Sequence, residues 1–252
     1  MNFKGKTVLV TGGSRGIGRS IAQQFAQHGA KVAVHYHSNR AAAEETLALL
    51  SGGGHRIYQA DVADPNAVKS LVDSVVAEMG GLDILVNNAG IDSDHLIASV
   101  SYEEWQSQWA VILATNLVGA ANLCYCATQH MIPRGGGRIV NVSSRGAFRG
   151  EPTSPAYGAS KAGMNAMGQS LAIALAPHGI GIVTVAPGWV DTDMSKEILG
   201  SAQGDSIRNQ SPLKRVATPE DVAAVVVFYA SDETLFSTGA VVDVNGASYL
   251  RT

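Results

Sequence analysis

The chain has 252 residues, 46% of them hydrophobic and 15% charged, with a formal net charge of -3. That length suffices for one large domain with a full core, and the charge balance leaves no footprint for nucleic acid or an anionic membrane surface. The polar opening from Met1 to Lys6 is unlike a signal peptide, and no apolar run is expected to span a bilayer, so a cytoplasmic protein without nucleic-acid or membrane partners is expected.

Thr7 to Val10 is a short β-branched run, read as a buried strand, and the glycines Gly12, Gly13, Gly16 and Gly18 crowd in behind it. A helical pattern through Ile21, Ala22, Phe25 and Ala26 stops near Gly29. Strands are then predicted at 32–34, 57–60 and 84–86, with helices at 41–50 and from Pro65 to Met79 between them. The second half continues with a helical region over 102–131, a strand at 138–142, a helix through Tyr157 to about Pro177 and a strand at 181–185. An irregular stretch over 187–218, a helix over 219–230 and a strand at 240–244 close the pattern. Strands alternating with helices of this length predict an α/β fold: one doubly wound, Rossmann-type domain, with a mostly parallel seven-stranded sheet and helices on both faces. Cys124 and Cys126, the two cysteines, are two residues apart and so point to different sides of a helix. They read as small core residues, not a disulfide or a metal site.

Two stretches carry chemistry. Gly12-x-x-x-Gly16-x-Gly18 lies between the first strand and the first helix, where glycines let the backbone turn tightly and approach a pyrophosphate at a helix N-terminus. The spacing differs from G-x-G-x-x-G by two residues in the first gap. Tyr157 and Lys161 are four apart at the start of an apolar helical pattern, so they share a helix face. A cation there is expected to lower the phenol from its usual pKa of about 10 and so equip it for proton exchange with a carbonyl or alcohol oxygen.

The variant glycine spacing after Thr11, Asn87-Asn88-Ala89-Gly90, Tyr157-x-x-x-Lys161 and Pro187-Gly188 occur in that order. Together they closely resemble the short-chain dehydrogenase/reductase family, along essentially the whole chain. Ser144, thirteen residues before Tyr157, and Asn116 stand where that family keeps its other two catalytic residues. The resemblance implies that Tyr157 is the general acid/base and that Lys161 lowers its pKa and bonds the nicotinamide ribose. It further implies that Ser144 orients the substrate oxygen and that Asn116 holds a water in a proton relay. Cofactor contacts are implied at Gly12, Ser14, Arg15, Gly16, Ile17 and Gly18, and at Asp61 and Val62 beside the adenine. The same holds for Asn87, Ala89 and Gly90 along the adenine ribose, and for Pro187, Gly188, Val190 and Thr192 near the carboxamide and pyrophosphate. Asn87 equally suits a brace between neighbouring strands. No metal is expected: Asp191 and Asp193 flank Thr192 without a further ligand cluster.

NAD sites place an acid at the end of the second strand for the ribose 2′-hydroxyl. Here that end reads His35-Tyr36-His37-Ser38-Asn39-Arg40, with no acid before Glu44. Nothing there repels a 2′-phosphate, and Arg15 and Arg40, with His37, Ser38 and Asn39, are candidates to contact it, so NADP(H) is the expected cofactor with NAD(H) possible. Alternatively, both arginines are solvated surface charges.

The reaction implied interconverts a ketone and a secondary alcohol on a small molecule. The opening 1–6 and closing 244–246 resemble the 3-oxoacyl-acyl-carrier-protein reductases in particular. Against that narrower match, Gly135 (beside Arg134) and His178 stand where those enzymes carry basic residues for an acidic carrier, and the 102–109 approach to Asn116 is about three residues longer. A dinucleotide-binding sensor without catalysis is a further alternative, disfavoured because Asn116, Ser144, Tyr157 and Lys161 are all present. Arg145 and Arg149 either pair with Glu151 or another acid, the favoured reading, or bind an acidic substrate; Asp94 and His95 are candidates to face the cleft. The 187–218 stretch is the expected substrate lid. A homotetramer is implied by resemblance, through the helices carrying Cys124 and Met164.

Overall fold

A computed structural model describes residues 1–251. Seven strands form one sheet in the order β3-β2-β1-β4-β5-β6-β7: β1 Thr7–Val10, β2 Lys31–Tyr36, β3 Arg56–Gln59, β4 Ile84–Asn87, β5 Gly137–Val142, β6 Ile180–Pro187 and β7 Val241–Val244. Every pairing is parallel. The helices between them are α1 Gly16–Gln27, α2 Arg40–Ala48, α3 Pro65–Met79, α4 Tyr102–Leu113, α5 Gly119–Met131, α6 Gly146–Arg149, α7 Pro155–Leu175, α8 Lys196–Gly200, α9 Gly204–Asn209 and α10 Pro219–Tyr229.

Two cores sandwich the sheet, and the strands feed them alternately. Val8 and Val10 of β1, Ile84 and Val86 of β4, and Val140 and Val142 of β5 pack with Ile21, Phe25, Val222 and Val226 from α1 and α10. Leu9, Leu85 and Ile139, one residue out of step, pack on the other face with Val72, Leu123 and Ala172 from α3, α5 and α7. Burial on both faces explains why these strands read as continuous apolar runs. Each fully buried aliphatic side chain contributes about 1.5–3 kcal/mol.

Local signals set the helix ends. Asp64 caps α3 by accepting from Asn66 N at 2.8 Å, Pro65 opens its first turn, and Gly80 ends it at φ 85. The structure corrects three expectations. The 102–131 region is interrupted by one π-helical turn, Ala114–Val118, which holds Asn116. The 187–218 stretch is not irregular throughout: it contains α8 and α9. The helical run Tyr102–Arg134 is long and apolar enough to cross a membrane by length and composition, contrary to the sequence expectation. Its Leu123, Cys124, Ala127 and Met131 instead pack into the second core.

Candidate active site

β1 and β4 are adjacent, and the chain leaves them toward opposite sides of the sheet, which opens a crevice at the carboxyl ends of the strands. A cleft of about 1180 Å³ lies there, lined by the glycine loop, the ends of β2, β4, β5 and β6, and part of 187–218. Gly12 and Gly16 adopt φ 62 and 52, which L side chains rarely do. A Cβ on Gly18 would lie 2.1 Å from Gly12 O and 2.7 Å from Asn88 Nδ2. The loop therefore closes against the first turn of α1, where Arg15 supplies no side-chain cap and the leading N–H groups stay available. A dinucleotide pyrophosphate fits this cradle.

His35 and Asn88 hold the loop, and sequence reasoning did not assign either. Asn88 Nδ2 donates to Thr11 O at 2.9 Å and Gly12 O at 3.2 Å, while Thr11 Oγ1 accepts from Asn88 N and Ala89 N, each at 3.0 Å. His35 Nδ1 accepts from Gly12 N at 3.1 Å and Nε2 lies 3.1 Å from Ala60 O, an arrangement satisfied by the neutral ring protonated at Nε2. Burial pushes this imidazole down to about 4. The folded chain thus binds fewer protons than the unfolded chain between that value and about 6.5, so stability falls as pH drops through this window. The loss is expected to be about 3 kcal/mol, complete near pH 4. Urea unfolding across this range should show that His35→Asn, whose carbonyl can replace the Nδ1 acceptor, lacks this part of the acid sensitivity; identical slopes for variant and wild type would contradict the assignment.

At the end of β2 the predicted residues separate. His37 and Ser38 line the cleft, with His37 Nε2 4.0 Å from Asp61 Oδ2. Asn39 also lines it, though its Oδ1 caps α2 by accepting from Ala42 N at 3.0 Å. Arg40 does not reach the cleft: it pairs with Glu44 one turn along α2 at 2.8 Å, because i and i+4 share a face. Arg15 lines the cleft, is exposed, and has no ion-pair partner among the described residues. Asn87 is a brace and not a cleft residue: its buried Nδ2 donates to Asn141 Oδ1 at 2.9 Å and toward Cys124 Sγ at 3.2 Å, tying β4 to β5. Asp61, Val62, Ala89, Gly90, Pro187, Gly188, Val190 and Thr192 all line the cleft, as do Ser14 and Ile17.

Ser144, Tyr157 and Lys161 converge on the cleft wall. Lys161 Nζ donates to Val142 O at 2.9 Å and sits 5.7 Å from the Tyr157 ring centroid. Ser144 Oγ accepts from Gly146 N at 3.0 Å. Asn116 lies behind the cleft, fully buried: its Oδ1 accepts from Ile91 N at 2.9 Å, and its Nδ2 donates to Ile91 O at 2.9 Å and Ser160 Oγ at 3.1 Å. Both amide hydrogens are therefore spent on holding the 90–91 turn against α7.

The expected lowering of the phenol pKa is reversed. Burial pushes Tyr157 up to about 12, the nearby Ser144 hydroxyl acts in the opposite direction, and Asp92 and Glu151 push the same way as burial. Burial also pushes Lys161 down to about 8, with Asp92 partly restoring it. At neutral pH the phenol is protonated and the ammonium largely charged.

The family model described as "Enoyl-(Acyl carrier protein) reductase" matches residues 12–247. The 3-oxoacyl-[acyl-carrier-protein] reductase of Staphylococcus aureus is 39% identical over 247 residues, covering 97% of this chain and 98% of the relative. The enzyme of that name from Escherichia coli is 38% identical over 250 residues, covering 99% and 100%. A short-chain dehydrogenase from Burkholderia cenocepacia, solved in complex with NADP, superimposes with a TM-score of 0.90 at 36% identity, covering 98% of this chain and 99% of that one. The chain belongs to the short-chain dehydrogenase/reductase family. A dehydrogenase/reductase from Sinorhizobium meliloti, 31% identical with a TM-score of 0.91, covers 99% of this chain and 97% of that one. Membership makes this short-chain dehydrogenase/reductase an NAD(P)-dependent oxidoreductase.

On the substrate side of this short-chain dehydrogenase/reductase, Asp94 lines the cleft but His95 does not. His95 is fully buried; its Nε2 accepts from Ala156 N at 3.1 Å and its Nδ1 lies 2.8 Å from Ser93 O, bracing the start of α7. Trp105 packs against its ring at 5.6 Å and Trp109 against Trp105 at the same distance, so the long approach to Asn116 serves as a buttress. Arg145 and Arg149 form no ion pair with an acid among the described residues, contrary to the favoured reading. Both donate to Gln210 Oε1 instead, at 3.1 and 2.9 Å. No cluster of metal-ligating side chains is present among the described residues.

Proposed function

We propose that this oxidoreductase prefers NADP(H) and reduces a ketone to a secondary alcohol, with Tyr157 as the proton donor. The observation that carries the reading is the convergence of Ser144, Tyr157 and Lys161 on one wall of the cleft. A bound nicotinamide supplies the hydride. Tyr157 gives its proton to the carbonyl oxygen as negative charge develops there, Ser144 Oγ orients that oxygen, and the Lys161 ammonium steadies the phenolate left behind. Asn116 acts by position, fixing the 90–91 turn against the helix that carries Tyr157 and Lys161. The glycine loop and α1 N-terminus hold the pyrophosphate, Asp61 and Val62 flank the adenine, and Pro187, Gly188, Val190 and Thr192 flank the nicotinamide half.

Preference for NADP(H) rests on Arg15, a guanidinium at the cleft without an acidic partner, and on the absence of an acid at the end of β2. An NADP complex of a 36% identical relative supports the same choice. Arg15→Ser is expected to lower kcat/KM for NADPH roughly 10–100-fold, the value of one charge-assisted contact, with little change for NADH. Equal losses for both cofactors would contradict the assignment.

The runner-up is a 3-oxoacyl-carrier-protein reductase, the name carried by relatives 38–39% identical. Gly135 and His178 at the carrier-facing positions argue against an acidic carrier partner. We further infer a single cytoplasmic domain with 187–218 as substrate lid, and a homotetramer. Exposed apolar side chains support assembly: Val118 and Tyr125 on the 102–134 helical run, Ile173 on α7, and Leu235 and Phe236 before β7.

A further inference from the structure

We propose that Arg145 and Arg149 form a carboxylate-binding subsite, so that the preferred substrate is an oxo acid; this rests on the ketone-reductase reading above. Arg145 is buried, its guanidinium donating through Nη1 to Ser248 Oγ at 2.6 Å and Gln210 Oε1 at 3.1 Å. Arg149 Nη1 donates to that same oxygen at 2.9 Å. Two guanidinium groups therefore share one neutral sp² oxygen, and no acid lies within ion-pair distance of either among the described residues. A buried arginine is ordinarily matched by an anion, because desolvating the charge is costly. Here burial and the neighbouring Arg149 both disfavour the charged form of Arg145, and Glu151 offsets this only in part. Glu151 is folded back against Gly146, where its Oε1 occupies the space an added Cβ would need. The 144–151 loop thus carries two positive charges and one negative, and a single carboxylate would balance it.

Position ties Arg145 to the reacting centre, whereas Arg149 is exposed, lines neither cavity and meets Arg145 only through Gln210. Arg145 follows Ser144 directly and lines the main cleft. With Trp189 it also lines a smaller cavity of about 220 Å³, whose polar wall includes Ser211, Asn245 and Ser248 and the ion pair of Arg215 with Asp221. On this proposal, an oxo acid with its ketone at Ser144 and Tyr157 places its carboxylate toward Arg145, the next residue along the chain and part of the same cleft lining. Gln210 Oε1 marks the acceptor position that a carboxylate oxygen takes over, with stronger, charge-assisted bonds to both arginines. Asp92 and Glu151 line the cleft and both act on Tyr157, while Glu151 also acts on Arg145 and offsets part of its charge.

The test compares an oxo acid with its methyl ester, by NADPH turnover and by calorimetric binding to the NADP⁺-loaded protein. The wild type is expected to favour the acid, and Arg149→Gln to lower the acid-to-ester ratio roughly 10–100-fold in both measurements. Gln210→Glu, which supplies a carboxylate from the chain itself, should lower the same ratio. A wild-type ratio at or below one, or a ratio that neither substitution moves, overturns the subsite. Arginine-dependent binding of the acid without turnover of acid or ester would uphold the subsite and overturn the reductase reading; turnover of the ester alone would do the reverse.

Discussion

Tyr157→Phe is expected to slow ketone reduction roughly 10²–10⁴-fold, the usual worth of a positioned proton donor, while NADPH still binds with near wild-type affinity. The phenol lines the cleft wall and is pushed up to about 12 by burial, so it carries its proton at neutral pH. Phenylalanine keeps the ring, so the packing around α7 is retained and the loss reads chemistry and not folding. A fall in kcat with the NADPH dissociation constant unmoved is the predicted signature, and wild-type turnover in the variant would show that another group delivers the proton. The wild type carries a linked pH dependence. Lys161, lowered to about 8, is charged below that value and loses its charge above it. Stabilisation of the emerging phenolate is thus fully present near neutrality and fades as pH rises through about 8, so kcat for reduction should decline on the alkaline side.

Gly18→Ala should be the most damaging single-methyl change in the cofactor half. The new Cβ would sit 2.1 Å from Gly12 O and 2.7 Å from Asn88 Nδ2, the first of which is backbone and cannot swing away. Relief requires the loop to lift off α1, breaking the Asn88 bonds to Thr11 O and Gly12 O. Overpacking of this kind costs about 1–3 kcal/mol, which lowers Tm by several degrees in a chain of this size. Moving the loop and the start of α1 out of register should weaken NADPH binding by about 100-fold or more. Cofactor affinity within a few-fold of wild type would mean that the glycine loop is not the pyrophosphate cradle.

The alternation of apolar strands with helices was legible because both faces of a parallel sheet are buried, leaving Leu9, Leu85 and Ile139 as apolar as their neighbours. Tyr157 and Lys161 were legible because helical spacing fixes which side chains share a face. What spacing could not supply was direction at strand ends. Asn87 and Asn88 are equivalent in sequence, yet the pleat turns Asn87 between β4 and β5 and leaves Asn88 to clamp the glycine loop. Arg40 was expected at the cofactor and is not there for a related reason: once Asn39 caps α2, Arg40 lies on the helix and meets Glu44 rather than a ligand. His35 reads as one more polar residue near a strand end, and only tertiary placement brings Gly12 N and Ala60 O to its two nitrogens. The direction of the Tyr157 shift failed because helical spacing suggests a cation nearby, whereas the burial that raises the phenol is a property of the packed site.

The most direct test is NADPH consumption by the wild-type protein against a panel holding a 3-oxoacyl thioester, oxo acids, their esters and cyclic ketones, with NADH run in parallel. NADPH-dependent turnover of at least one ketone, faster than with NADH, is the predicted result, and an oxo acid outpacing the thioester would favour the small-molecule reading over the carrier-protein one. Tight NADPH binding with no ketone in the panel turned over would contradict the account.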